Sequence, residues 1–199
     1  MKFVVATNNQ HKLEELREIL GASGHTLLSL GESGFSGEII EDGDSFEANA
    51  RIKAQTVCKA TGLPAIADDS GICVDALDGA PGIYSARYGA PECKSDADRR
   101  QLLLRNMEGK SDRNAHFACS IVCAFPNGDE ISSYGECAGE IGFEERGDGG
   151  FGYDCIFVLD GRGLTLSEIS AEEKNRVSHR AEAVKGLVGR LDRYLKGSW

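Results

Sequence analysis

The stretch KFVVATNNQHKLEELREIL, Lys2–Leu20, indicates the fold class of this 199-residue chain. It starts with a short apolar run, which is typical of a buried strand, and continues with the polar turn TNNQHK. Leu13, Leu16 and Leu20 then recur at helical spacing as far as Gly21. A strand, a loop and a helix in this order predict the beginning of an α/β fold.

The rest of the chain continues this alternation of short apolar runs and helical patterns. We expect a strand at HTLLSL, a helix from Phe46 to Lys59 that Asp44 and Glu47 introduce, two short strands at PAIADD and ICVDAL, and a helix at KSDADRRQLLLRNM. Two strands follow at HFACSIVCAF and EISSYGECAGEI, joined by a hairpin at Pro126-Asn127-Gly128, and then a strand at CIFVL. The last expected element is a helix with an apolar stripe from Val177 to Leu195. No repeat or linker interrupts the pattern, so residues 1–199 are expected to form a single domain.

Composition and charge narrow the classes of function. The net charge is −10, which argues against nucleic acid as a partner because such binding needs clustered Lys and Arg. The longest apolar run, FACSIVCAF, is far shorter than the roughly 18 residues that span a membrane. Seven cysteines without a CxxC pair are typical of buried thiols in a reducing compartment. We therefore expect a soluble, cytoplasmic protein that contacts no membrane.

The first candidate site is the loop after the first strand. Hydroxyl, amide and backbone N–H groups beside a helix N-terminus, with a lysine in the first helical turn, suit a phosphate. The residues are Thr7, Asn8, Asn9, Gln10, His11 and Lys12. The spacing is not that of a P-loop, and by itself the motif favours a polar turn with an asparagine cap.

The second candidate is the pair of carboxylates at Asp68 and Asp69, which follow an apolar run directly. Adjacent strand residues point to opposite faces, so the two side chains are expected to have different partners. Mg²⁺ suits such a position because it takes a few carboxylate oxygens plus water and phosphates, and Glu41 is a second candidate ligand. The alternative is an ordinary Asp-Ser-Gly turn.

A third candidate is the pair Asn49 and Lys53, whose spacing of four residues places both on one face of the predicted helix. Both side chains could therefore reach one ligand. The alternative is a solvated helix flank.

The fourth candidate is GGFGYD, Gly149–Asp154, in which the glycines allow close backbone approach. The rings of Phe151 or Tyr153 offer a flat surface on which a base could stack. The alternative is a turn with core aromatics.

The fifth candidate is EEKNRVSHR, which brings Lys174, His179 and Arg180 close together in sequence. Lysine suits a phosphate, and histidine and arginine can donate to a carbonyl oxygen on a base. The alternative is a charged surface.

Two further interpretations find little support. A serine hydrolase based on Ser70 lacks the G-x-S-x-G elbow. A zinc site at His116, Cys119 and Cys123 lacks a recognised ligand spacing.

Taken together, these stretches resemble the inosine triphosphate pyrophosphatase family of XTP/dITP diphosphatases. The motifs that carry the resemblance are FVVATNNQHK, FEANARIKA, LPAIADDSGICVDALDGAPGIYSARY, GGFGYDCIF and EEKNRVSHRAEA, which span nearly the whole chain. The chain departs from the commonest family wording at three positions: Asn8 stands where glycine is frequent, Asp42 where threonine is frequent, and Cys155 where proline is usual.

The resemblance implies Mg²⁺-dependent hydrolysis of ITP, dITP and XTP to the monophosphate and pyrophosphate. It also implies an elongated α/β fold of two lobes, with a central mixed sheet flanked by helices and the active cleft between the lobes, and a homodimer. Two alternatives remain: a pyrophosphatase for another modified nucleotide, and a catalytically silent nucleotide-binding module.

The resemblance also implies a role for each motif residue. The triphosphate is bound by Thr7, Asn8, Asn9, Gln10, His11 and Lys12, with added positive charge from Lys53 and Lys174. Mg²⁺ is held by Glu41 and Asp69, water is activated by Asp69, and the substrate is contacted by Asn49 and Ser70. The base pocket is lined by Phe151, Gly152, Tyr153 and Asp154, and the 6-keto edge of the purine is bound by His179 and Arg180. Asp68 supports the site.

Overall fold

The computed structural model describes residues 1–21 and 24–197, and within them it forms one six-stranded mixed β-sheet. The strands are β1 (Lys2–Val5), β2 (Thr26–Leu28), β3 (Ala65–Val74), β4 (Asn114–Ala124), β5 (Glu130–Ile141) and β6 (Phe157–Leu159). Their order in the sheet is β2-β1-β3-β4-β5-β6. β1 pairs in parallel with both β2 and β3, whereas β5 and β6 are antiparallel. The predicted α/β class with a mixed sheet is confirmed.

The α-helices in the described residues are α1 (Gln10–Gly21), α2 (Phe46–Thr61), α3 (Asp96–Asn106), α4 (Ala171–Val177) and α5 (His179–Leu195). Four of these helices lie close to the predicted positions, and α4 was not predicted. The residue predicted to introduce α2 was wrong: Ser45 caps it instead, because its Oγ accepts a hydrogen bond from the Ala48 N–H at 3.2 Å. The helix stops at Gly62, whose φ of 68° lies in the left-handed region that favours glycine.

The prediction of two short strands around the Asp68-Asp69 pair was wrong, because β3 is a single strand of 10 residues. Ser70 and Gly71 do not form a turn, and the strand continues through them to Val74. The two carboxylates therefore lie in the middle of a strand rather than at its end. Such a position needs compensating partners, because a buried ionised carboxylate without them is strongly destabilising.

The final helix begins later than predicted. Ser178, with φ −75° and ψ 159°, is extended and separates α4 from α5, so Val177 belongs to the shorter helix. The helical pattern continues across this break, which explains why the sequence suggested one element. The interruption places His179 and Arg180 in the first turn of α5.

The chain divides into two compact units, and the first comprises Met1–Asp69, Cys119–Gly135 and Arg180–Trp199. Two apolar clusters fill it, and consecutive residues of β1 alternate between them, Phe3 in one and Val4 in the other. One cluster takes side chains from α1 and α5, and the other takes them from α2. The first unit is therefore a sheet with helices on both faces, as expected for an α/β protein.

The second unit comprises Ser70–Ala118 and Glu136–His179 and has an apolar cluster of its own. Phe117 and Phe157 meet edge to face in this cluster, with ring centroids 4.8 Å apart.

All seven cysteines lie in the described ranges and are free thiols, four of them buried. None of the helices in residues 1–21 and 24–197 is long and apolar enough to cross a membrane.

Candidate functional site

Asp68 is the centre of a buried ionic network in the first unit. Asp68 is 1% exposed, and its Oδ2 lies 3.1 Å from Lys12 Nζ. The same oxygen accepts hydrogen bonds from Arg180 Nε at 3.1 Å and Nη2 at 3.0 Å. Arg180, itself 1% exposed, also donates through Nη1 to Glu15. The network links the starts of α1 and α5 to the middle of β3.

The charges in this network keep one another ionised. Burial alone would raise the pKa of the Asp68 carboxyl, but the cations of Lys12, Arg180 and Lys53 hold that pKa well below its usual range. Burial likewise lowers the pKa of Arg180, and the carboxylates of Asp68 and Glu15 outweigh that effect and raise it. Asp68 is therefore held as an anion and Arg180 as a cation.

Asp69 belongs to a second group of side chains in the same unit. Lys53 Nζ lies 3.2 Å from Asp69 Oδ1 and 2.8 Å from Glu41 Oε2, so one ammonium joins the two carboxylates. Asn49 Nδ2 donates to the other Asp69 oxygen at 3.2 Å, and Asn49 Oδ1 accepts from the Gly43 N–H at 2.9 Å. Asn49 thus fixes the loop that carries Glu41 relative to the strand that carries Asp69.

The structure excludes one of the two interpretations of the α2 pair, Asn49 and Lys53. Asn49 is fully buried and Lys53 is 6% exposed, so a solvated flank is wrong. Burial would lower the pKa of Lys53, but Asp69, Asp68 and Glu41 together raise it. A buried lysine that stays charged contributes a fixed positive charge beside these carboxylates.

The loop after β1 forms the asparagine-capped turn that the sequence suggested. Asn9 caps α1, since its Oδ1 accepts from the Lys12 N–H at 3.2 Å, and its own N–H donates to Thr7 Oγ1 at 3.1 Å. The other side chains of the loop, Asn8, Gln10 and His11, are exposed. The backbone of Asn8 is not left-handed, so asparagine at this position does not strain the turn.

The residues around Lys53 fit a hard divalent cation. Across residues 1–21 and 24–197, no three His, Cys, Asp or Glu side chains come together as a complete metal site. The carboxylates of Glu41 and Asp69 nevertheless lie close enough together to contact one positive group, because the Lys53 ammonium binds both. Two carboxylates, completed by water and substrate phosphates, form the environment in which proteins usually hold Mg²⁺.

The predicted base-pocket residues form a compact group in the second unit. Asp154 Oδ2 accepts from the Phe151 N–H at 2.8 Å and from Lys174 Nζ at 2.6 Å. The Lys174 ammonium also lies 4.5 Å from the centre of the Phe151 ring. The structure therefore places Lys174 with Asp154 and Phe151, whereas the resemblance grouped it with Lys53 as a phosphate ligand.

Other members of this group are fixed by neighbouring core residues. The Tyr153 hydroxyl donates to the Ser85 carbonyl oxygen at 2.8 Å. His179 is 4% exposed, and its ring lies flat against Phe117, with centroids 4.7 Å apart and planes 10° apart. The interpretation of EEKNRVSHR as a charged surface is wrong for its three candidate residues, which are all buried.

Sequence reasoning missed three residues that position the candidate side chains. Glu15 lies one helical turn after Lys12 and binds Arg180, and Phe117 stacks on His179. Ser85 accepts from the Ile72 N–H through Oγ and from Tyr153 through its carbonyl. The sequence does give one indication for Glu15, because this acidic residue lies next to Leu16 of the apolar stripe of α1. Phe117 and Ser85 are marked only by partners that are distant in sequence, so local sequence does not identify them.

The fold, the Asp68 network and the contacts of Lys53 with Glu41 and Asp69 define an α/β protein in which carboxylates and lysines cluster beside the central sheet. The model of the Ham1 family matches residues 3–190, and the chain belongs to this family. It is 44% identical to the dITP/XTP pyrophosphatase of Bacillus licheniformis, over 95% of this chain and 97% of that one. The dITP/XTP pyrophosphatase of Bacillus subtilis is 43% identical, over 95% and 96% of the two chains.

A solved structure agrees with this assignment. The HAM1 protein from Coxiella burnetii superposes with a TM-score of 0.88 and 38% sequence identity, over 97% of this chain and 99% of that one.

Proposed function

We propose that this protein is a nucleoside triphosphate pyrophosphatase that hydrolyses non-standard purine nucleotides, dITP, ITP and XTP, to the monophosphate and pyrophosphate. The observation that carries the proposal is the joining of Glu41 and Asp69 by one buried ammonium, that of Lys53, at 2.8 and 3.2 Å. Membership of the Ham1 family and relatives named dITP/XTP pyrophosphatase support the choice of substrate.

The first unit would supply the phosphate chemistry. Glu41 and Asp69 would hold Mg²⁺, which neutralises charge on the phosphates when it is bound. Lys12, Lys53 and the N-terminus of α1 would bind the triphosphate oxygens, because the positive end of a helix and lysine side chains both favour anions. Asp69, oriented by Asn49, would accept a proton from the attacking water.

The second unit would supply base recognition. Phe151 offers a ring for stacking, and Asp154 and Lys174 fix the loop that carries it. His179 would donate to the 6-keto oxygen of the purine. The resemblance assigns Arg180 to the same edge of the purine, and in the first unit this residue binds Asp68 and Glu15.

Such donors would discriminate against adenine. An amino group at the 6-position cannot accept from them, and each buried donor left unpaired costs about 1–3 kcal/mol. Ser70, which follows Asp69 directly in β3, would contact the substrate as the resemblance implies.

Three further properties belong to this proposal. Residues 1–199 would act as one catalytic domain, which the family match over residues 3–190 supports. The protein would be a homodimer, as the resemblance implies. It would work in the cytoplasm, a reducing compartment in which seven free cysteines remain reduced.

The direct test is pyrophosphate release from dITP, XTP, dGTP and dATP at equal concentration, with Mg²⁺ and with excess EDTA. Rapid Mg²⁺-dependent release from dITP and XTP alone is the expected result. Release from a different nucleotide would identify another pyrophosphatase, and no release from any nucleotide would favour a silent binding module.

The Asp69→Asn variant tests the two roles proposed for Asp69, general base and ligand of Mg²⁺. It keeps an oxygen for the Asn49 amide and removes the proton acceptor, so kcat is expected to fall at least a hundredfold. Asp192→Asn, which alters an exposed residue of α5, is the matched control, and its kcat is expected to be normal. Near-normal turnover of Asp69→Asn would remove this residue from the mechanism.

A further inference from the structure

Arg100 on α3 binds the loop that carries the predicted base-pocket residues. Its Nη1 donates to the Gly152 carbonyl oxygen at 3.0 Å, and its Nη2 donates to Glu145 Oε2 at 3.0 Å. Gln101, the next residue of the helix, donates to the other Glu145 oxygen at 3.1 Å. One guanidinium therefore connects α3, the loop and the segment that precedes the loop.

This loop needs external contacts to keep its shape. Gly150 and Gly152 have φ of 71° and 61°, the left-handed region in which glycine is the residue of choice. Glycine has the most conformational freedom to lose on ordering, so two such positions weaken the intrinsic order of the loop. Asp154 binds the Phe151 N–H, but neither that bond nor the Tyr153 hydroxyl restrains the carbonyl of Gly152.

The surroundings of Arg100 make its contacts durable. Its side chain is 17% exposed, whereas that of Glu145 is 34% exposed, so the guanidinium is the more shielded partner of the pair. Burial lowers the pKa of Arg100, but the hydrogen bond to Glu145 together with the negative charges of Glu145 and Asp96 outweighs burial, so the net shift is upward.

The thiol of Cys155 lies 3.6 Å from the Glu145 oxygen that Arg100 binds. Burial raises the pKa of Cys155 to about 11, so its thiol is neutral and can donate to that carboxylate.

We infer that Arg100 is a positioning residue for purine binding: by holding the Gly152 carbonyl it sets the placement of Phe151 and Tyr153 on either side, and so controls affinity for the base rather than the hydrolytic step. This inference rests on the proposed function, since it assumes that the loop binds the base. No other side chain described here holds that carbonyl, and Arg100 reaches it from a helix that carries none of the predicted site residues.

The kinetic test compares Arg100→Ala, Arg100→Lys and Arg105→Ala with the unaltered protein. Arg105 is the matched control, because it is exposed and lies on the same helix. For Arg100→Ala we expect KM for dITP to rise about tenfold with kcat changed less than about twofold, the pattern of lost ground-state binding. Lysine can restore one of the two hydrogen bonds, so Arg100→Lys should be intermediate. Arg105→Ala should behave as the unaltered protein.

A second measurement, hydrogen exchange followed by mass spectrometry, needs no substrate. Peptides that contain residues 149–154 should exchange faster in Arg100→Ala, while peptides from β4 should be unchanged. The inference is overturned if KM is unchanged in Arg100→Ala, or if the changes in kcat and KM only follow a lower melting temperature of the variant. If the unaltered protein hydrolyses none of the nucleotides, the proposed function fails, and the exchange data still decide whether Arg100 holds the loop.

Discussion

Replacing Asp68 by asparagine is expected to destabilise the protein strongly at neutral pH. The substitution preserves the size of the side chain and removes the negative charge that faces Lys12 and Arg180. Removing one partner of a buried ion pair costs about 3–5 kcal/mol. The lower end, about 3 kcal/mol, applies here because Glu15 still partners Arg180. For a chain of this size, that loss corresponds to a fall in melting temperature of roughly 6–12 °C.

The effect should also depend on pH in a defined direction. The pKa of Asp68 is lowered in the folded state, so its contribution is complete above the unfolded-state pKa, which is about 4. It is lost as the pH falls below that value. The difference in melting temperature between the unaltered protein and Asp68→Asn should therefore be full at pH 7 and begin to shrink only as the pH falls below about 4.

Thermal unfolding followed by circular dichroism, at intervals from pH 7 to pH 3, measures both effects. Asp192→Asn, which removes one exposed carboxylate from the same unit, should stay within about 1 °C of the unaltered protein. The reasoning is refuted if Asp68→Asn melts within about 2 °C of the unaltered protein at pH 7, or if their difference grows as the pH falls.

Two further substitutions and one labelling experiment test neighbouring residues. Asn49→Ala removes the amide that orients Asp69, so kcat/KM for dITP should fall about tenfold in steady-state assays. Tyr153→Phe leaves the Ser85 carbonyl without its hydroxyl partner and should lower the free energy of unfolding by about 1 kcal/mol in urea titrations. Burial raises the pKa of Cys119 to about 12, so iodoacetamide at pH 8 should label this thiol only after unfolding, as peptide mass spectrometry can show.

The sequence predicted the fold wherever local pattern and final environment agree. The apolar run of β1 and the helical spacing of α1 were sufficient, because each pattern matches the face that the element buries. The pattern was misleading at Asp68, where charge suggested the end of a strand. The compensating cations of Lys12 and Arg180 come from distant parts of the chain, and local sequence does not reveal them.

The same distinction applies to the candidate site. Motif resemblance indicated Glu41, Lys53 and Asp69 together, and the structure brings these three side chains into contact. The groups that orient site residues were harder to find. Phe117 and Ser85 are ordinary core residues by composition, and only the folded chain shows that they hold His179 and Tyr153.

The stacking of His179 on Phe117 has an entropic consequence for ligand binding. An exposed histidine would lose rotational freedom when a base arrived, at a cost of about 0.5–1.5 kcal/mol for an immobilised side chain. Here the imidazole is already immobilised when the chain folds. A base that contacts it would therefore bind roughly two to ten times more tightly than it would to the same ring left mobile, with no additional contact.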